Sequence, residues 1–207
     1  MGFAASSYNR RHIVRDKQRE ETRRRVYRAA LEIFRRDTVA GCRIDDIAQK
    51  ADVSRGAFYF HFATKDDVLI ELLREGELPV AEAILALTEN VTIEKVLETV
   101  DEALAKFWEN ERTLLADVAT VALRLYAVVD ARDVQPVRTA LAHRFRLAAA
   151  RNELSPVLPP EVLSDFFLAN SLSAMLAWCA NPALGLPFVL NGVSQLFLDG
   201  ARGRGTN

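Results

Sequence analysis

The chain has 207 residues, half of them hydrophobic and 27% charged, which suits one compact unit or a small domain beside a larger one. Its net charge of −1 hides an asymmetry: residues 1–65 carry 15 Arg and Lys against 8 Asp and Glu, and residues 66–207 carry 12 against 20. A basic first third on an acidic body fits a chain that meets a polyanion at one end, and it also fits a merely solvated face. The histidines are His12, His61 and His143, and with Cys42 and Cys179 they form no metal-ligand spacing. There is no glycine-rich phosphate loop and no nucleophile elbow, so neither an enzyme nor a cofactor is expected. No secretory apolar segment opens the chain, which reads as cytoplasmic with reduced thiols.

Residues 1–18 show no apolar periodicity and carry Arg10, Arg11, Arg15 and Lys17, so they read as a flexible basic arm. From about residue 19 the pattern is helical throughout, with no period-two alternation and no hairpin turn signal. The first helix, 19–36, puts Val26, Ala30, Ile33 and Phe34 on one face. Short helices are expected at 44–51 and 55–61. Thr64 is placed to cap the next helix with Asp67 as a carboxylate capping box, and Pro79 marks an end or kink there. Thr92 caps a helix whose stripe is Ile93, Val96, Leu97, Val100, Leu104, Phe107 and Trp108. Further helices fall at 112–129, 135–152, 160–180 and 186–199. The sum is an all-α chain of about nine helices: the arm at 1–18, a three-helix domain at 19–66 and a helical domain at 67–207.

The run Arg43 to Asp67 has the layout of a helix-turn-helix. Two short helices that cross closely need a small residue at the crossing, and Ala48 supplies it. Asp52 tolerates the left-handed geometry of a three-residue turn, Val53 plugs the corner, and Ser54 caps the second helix. That helix can then enter a major groove: Arg55 can donate twice to a guanine edge, and Gly56 and Ala57 let backbone approach the bases. Tyr59, His61 and Lys65 suit phosphates, Phe60 either packs or touches a thymine methyl, and Phe58 and Phe62 point inward. Arg43 leaves the preceding helix without a side-chain cap or gives an extra phosphate contact. The arm and Arg23, Arg24, Arg25 and Arg28 either add phosphate contacts or solubilise the chain.

From Val53 to Leu69, and in Ile47-Ala48 with Ala51-Asp52 before it, the sequence resembles the tetracycline-repressor (TetR) family, whose pattern is approximately Val-Ser, then Tyr-x-His-Phe-x-x-Lys, then Leu. The specific likeness covers residues 22–70; the body is similar only in length and helix count. Asp52 departs from the usual turn glycine and Arg43 from the usual capping Thr or Ser. The resemblance implies an N-terminal DNA-binding domain and a C-terminal ligand-binding and dimerisation domain. It also implies a homodimeric regulator, generally a repressor, released from a palindromic operator of double-stranded DNA by a small-molecule effector.

From Phe166 to Leu198 no residue is charged. Asn181-Pro182 and Gly185 with Pro187 divide this stretch into pieces shorter than the ~20 residues of a spanning helix, so a buried pair is expected rather than a membrane segment. Phe166, Phe167 and Ala174 on one helix and Val189, Val193, Leu196 and Phe197 on the other are the expected dimer interface. Candidates to line a ligand pocket are Phe107, Trp108, Leu115, Val118, Leu123, Tyr126, Phe145, Asn170, Met175 and Trp178, with Tyr126 and Asn170 as its polar groups and a lipophilic or aromatic ligand of little charge as its occupant. Each could equally be a core residue. A helical interaction module without sequence-specific DNA binding is the alternative reading of the whole chain.

Overall fold

The computed structural model describes residues 3–128, 135–154 and 158–202, with side chains described from residue 15 and, in the first segment, up to residue 125. Among these residues there are nine α-helices: α1 Phe3–Asp37, α2 Ile44–Lys50, α3 Arg55–His61, α4 Lys65–Ala86, α5 Ile93–Trp108, α6 Leu115–Val128, α7 Pro136–Ala150, α8 Pro160–Ala180 and α9 Leu186–Ala201. They divide into two compact units, Met1–Leu69 and Ile70–Asn207.

In the N-terminal unit, α1 begins at Phe3, well before the residue 19 that apolar periodicity marks. No Gly or Pro interrupts residues 3–37, and Arg, Gln, Lys and Glu are good helix formers, so helix continues where no packed face exists to reveal it. The pair Arg24–Glu20 at i,i+4 adds local support. The packed face is the expected one: Val26, Ala30, Ile33 and Phe34 are buried. α1 ends where Thr38 enters the left-handed region at φ 68°. Its hydroxyl then accepts from the Gly41 amide at 3.2 Å. Position 41 needs glycine, since a Cβ there would stand 2.6 Å from the Asp37 carbonyl oxygen.

In the C-terminal unit, α8 packs against α6, α7 and α9, and α5 packs against α7 and α9. Leu97, Val100, Leu141, Phe145, Phe167 and Leu190 are fully or almost fully buried there. Each contributes about 1.5–3 kcal/mol by leaving water. Thr92 caps α5 as expected, its hydroxyl accepting from the Lys95 amide at 3.4 Å. Pro79 lies inside α4 without ending it. Two arginines of the α7 region secure the chain that follows α4: Arg144 donates to the carbonyls of Ile84, Leu87 and Thr88, and Arg151 to those of Glu89 and Val91.

The length argument about residues 166–198 needs correcting. α8 has 21 residues, because it starts at Pro160, ahead of the charge-free stretch. It is long and apolar enough to cross a membrane by length and composition. Its Glu161 and Asp165, however, pair with Arg146 and Arg138, and Phe167, Met175 and Trp178 are buried against the rest of the unit.

Candidate nucleic-acid interface and internal cavity

The turn between α2 and α3 has the chemistry its sequence calls for. Asp52 takes φ 52°, and the Val53 amide turns back to the Ala48 carbonyl at 3.0 Å. Ser54 stands at the N-cap of α3 with extended geometry, and its hydroxyl accepts from the Ala57 amide at 3.1 Å. Arg43 is the N-cap of α2 and makes no side-chain cap bond. The capping box at the start of α4 is reciprocal: the Thr64 amide donates to Asp67 at 2.8 Å, and the Asp67 amide donates to the Thr64 hydroxyl at 3.3 Å.

α3 is only seven residues long, and its inner face holds it in place. Phe58 and Phe62 are buried to within 1%, with their ring centroids 6.1 Å apart, and Tyr27 of α1 stacks on Phe62 at 6.4 Å. Arg23 of α1 works as a strut rather than as a phosphate contact. Its guanidinium lies 4.2 Å from the Phe62 ring centroid and donates to the His61 carbonyl at 2.6 Å, at the C-terminal end of α3. A cation there is also favoured by the helix dipole.

The opposite face of α3 is open. Arg55, Gly56, Tyr59 and Phe60 are exposed, and Ala57 and His61 are half-buried. Phe60 is 65% exposed, with Arg19 of α1 5.0 Å above its ring. A phenylalanine left in water on a helix pinned by two buried ones is an apolar contact point available to a partner. Arg55 lies 3.4 Å from Asp45 of α2 and 5.8 Å from the Tyr59 ring centroid, while Arg43 lies 3.9 Å from the other Asp45 oxygen. A Cβ added at Gly56 would approach only the Ser54 hydroxyl, at 3.8 Å, so the backbone there is accessible from outside. Burial first, and then the charges of Arg23 and Arg19, hold the His61 imidazole below its ordinary pKa, so at neutral pH it offers an uncharged N–H.

Lys65 differs from expectation. Its ammonium donates to the carbonyls of Val39 at 2.5 Å and Cys42 at 3.1 Å, so it closes the α1–α2 loop instead of pointing outward. The free carbonyls left by the end of α1 explain this, and they lie 23 to 26 residues away in sequence, beyond the reach of any local pattern. Replacing Lys65 with Met is expected to cost the N-terminal unit about 1.5–3 kcal/mol, the worth of hydrogen bonds from a charged group. A phosphate contact would instead leave stability unchanged and lower the slope of log affinity against log salt by about 0.9. Thermal unfolding together with a salt titration of DNA binding separates the two.

The C-terminal unit encloses a cavity of about 640 Å³. Trp108, Leu115, Val118, Leu123 and Met175 line it as expected. Phe107, Phe145, Asn170 and Trp178 do not. Phe107 packs against Gly76, Phe145 against Phe167 and Phe197, and Trp178 under Arg112. Asn170 faces outward, donating to the Phe166 carbonyl at 2.7 Å. The side chain of Tyr126 lies outside the described residues. The polar lining comes from Glu77, Gln135, Arg138, Asp165 and Ser171, which sequence reasoning missed. Charge is therefore present in a cavity expected to carry little.

The expected interface residues divide likewise. Phe166 and Leu196 are 54% and 76% exposed, and Ala174, Val189 and Val193 are half-buried or exposed. Phe167 is fully buried within the chain, and Phe197 packs against it at 5.2 Å and against Phe145 at 5.4 Å. Leu184 and Phe188, exposed by 55% and 69%, extend the apolar surface of this region. One step along a helix turns a side chain by about 100°, which separates Phe166 from Phe167.

A helix-turn-helix in an N-terminal helical unit, followed by a helical unit with a cavity, defines the class. Residues 26–72 match the family model described as bacterial regulatory proteins, tetR family. The HTH-type transcriptional regulator SrpR of Pseudomonas putida is 41% identical over 85 residues, 41% of this chain and 38% of that protein. The HTH-type regulator TtgW, from another strain of Pseudomonas putida, is 40% identical over 85 residues, 41% of this chain and 61% of that protein. The matched stretch thus spans less than two thirds of either relative. The structure resembles FadR of Thermus thermophilus, a TetR-family transcriptional repressor crystallised in complex with lauroyl-CoA, with a TM-score of 0.66 and 24% identity over 89% of this chain and 98% of that one. The fatty acid degradation regulator FadR of Bacillus halodurans gives 0.65 and 19% over 85% and 97%. These structural likenesses show the shared fold. Through its N-terminal domain the chain belongs to the TetR family, and since its relatives are regulators, an enzymatic reading falls away.

Proposed function

We propose that this chain is a cytoplasmic, homodimeric transcriptional regulator that reads a palindromic DNA operator with α3 and represses until a small, largely apolar ligand fills its C-terminal cavity. The observation that carries the reading is the outward face of α3. Arg55, Tyr59 and Phe60 stand exposed on a helix whose inner face is fixed by Phe58 and Phe62 and whose start is capped by Ser54. That face offers a guanine-reading fork, a phosphate-directed hydroxyl and an apolar contact for a thymine methyl. Gly56 and Ala57 let the backbone close on the bases, with Arg43 and His61 at the edges. Family membership supports the same role. The exposed Phe166, Phe188 and Leu196 supply the apolar surface through which a second copy would pair. Ligand release is then a population shift, its size set by the ligand's differential affinity for the DNA-competent and incompetent states.

Pairing and DNA reading are tested together with Leu196→Glu. At 76% exposure the substitution leaves the fold of the chain intact. The variant is expected to sediment as a monomer and to bind operator duplex at least about a hundredfold more weakly, because two half-sites held by one particle reinforce each other. A monomeric wild type, or a variant that binds as tightly as wild type, would overturn the dimer reading.

A further inference from the structure

The charged corner of the cavity says what kind of ligand it takes. Arg138 of α7 and Asp165 of α8 both line it. The guanidinium donates from Nε to one carboxylate oxygen and from NH2 to the other, the second bond at 2.9 Å. The two partners differ in burial: the Arg138 side chain is 14% exposed and that of Asp165 50%. The remaining wall near it is apolar, with Val118, Leu168 and Met175 among its residues.

We infer that the cavity binds an amphipathic monoanion, an apolar body with a carboxylate head, and that the head takes the place of Asp165 on Arg138. This rests on the reading of the cavity as the effector site. The planar fork of an arginine matches a carboxylate in two parallel bonds, so an incoming acid reproduces the pairing that Asp165 makes. Burial decides which partner is exchanged. A mostly buried cation must stay paired, whereas a half-exposed carboxylate returns to water at small cost. A cationic ligand would have to leave Arg138 without its carboxylate, or meet Asp165 on its wet side, where ion pairs contribute little. Glu77 also lines the cavity but is already engaged in an interaction of its own, so it is no vacant anion awaiting a cation. A neutral ligand would leave the pair untouched and gain no charge-assisted bond. The exchange replaces a side-chain link between α7 and α8 by one between α7 and the ligand, which gives the ligand a differential interaction with two states of this unit.

The test is calorimetric titration of the full chain with decanoate, decanol and decylamine, which share one apolar body. Decanoate is expected to bind at least about tenfold tighter than either, the worth of a charge-assisted hydrogen bond. Arg138→Gln should lose that advantage while keeping its affinity for decanol, which shows that the cavity is intact. Asp165→Asn, which removes the competitor, should bind decanoate several-fold tighter than wild type. Equal binding of decanol or decylamine by wild type, or unchanged decanoate affinity in Arg138→Gln, overturns the inference. If decanol binds and displaces DNA as well as decanoate does, the effector-site reading stands and only the acid preference falls. If none of the three binds, both fall.

Discussion

Arg144→Met is expected to lower the stability of the C-terminal unit by about 3–5 kcal/mol, the range in which loss of a buried hydrogen-bond network lies. Arg144 is 6% exposed and its guanidinium serves three carbonyls at once: Ile84 at 2.7 Å, Leu87 at 2.5 Å and Thr88 at 2.9 Å. These are the acceptors left over where α4 runs out, and a helix C-terminus attracts a cation for the same reason. Met fills much of the same volume but donates nothing, so the variant isolates the polar loss from a cavity. For a unit of this size the melting temperature should fall by roughly 10 °C. Differential scanning calorimetry checks this. A shift of no more than about 2 °C, the low end of what 1 kcal/mol produces, would mean that water or a local rearrangement satisfies the three carbonyls.

The second large effect concerns Asp101 on α5, which is 5% exposed. One oxygen accepts from the Ser194 hydroxyl of α9 at 2.7 Å, and the other has no partner. Burial, opposed in part by the Ser194 bond and reinforced by Glu102 and Glu98, raises its pKa to about 6. The sign follows from linkage. A carboxyl whose folded pKa lies above its unfolded value favours folding below the unfolded pKa, and that contribution is lost as pH rises through the folded one. The wild-type chain should therefore lose up to ~3 kcal/mol from this group between about pH 4 and pH 6.5. Asp101→Asn removes the titration. Urea unfolding at about pH 4.5 and about pH 7.5, on either side of that window, should find the variant gaining on wild type at the higher pH. Taking the difference between the two proteins cancels carboxylates such as Glu153 and Glu161, whose pKa values are lowered by arginine or backbone partners and whose effect has the opposite sign. Parallel pH profiles would show that Asp101 is solvated as a surface carboxylate.

Asp101 also marks how far the sequence could be read. It sits four residues after Leu97 and three before Leu104, inside the apolar stripe of α5, so its burial was available from helical spacing alone. The helix-turn-helix was legible because its constraints are local. A left-handed turn residue, a capping hydroxyl and two inward aromatics each act within a few positions, and Asp52, Ser54, Phe58 and Phe62 meet them. The length of α1 was not legible, since helix without a packed face has no periodicity to show. Nor were the anchoring of Lys65 or the Arg138–Asp165 corner, whose partners come together across 23 to 27 residues. In α8 and α9 nearly every position is apolar. Composition marked both helices for burial but could not say that Phe167 turns into the chain and Phe166 out of it.

The most direct test of the central claim is selection of bound duplexes from random-sequence DNA at moderate salt, followed by sequencing. A palindrome with half-sites spaced by about one helical turn or a multiple of it is expected for a symmetric dimer with α3 in the major groove. A guanine whose preference disappears in Arg55→Ala is expected within each half-site. Enrichment of no sequence, with only weak and strongly salt-sensitive binding, would contradict the regulator reading and leave the basic N-terminal unit as a charged face on a helical interaction module.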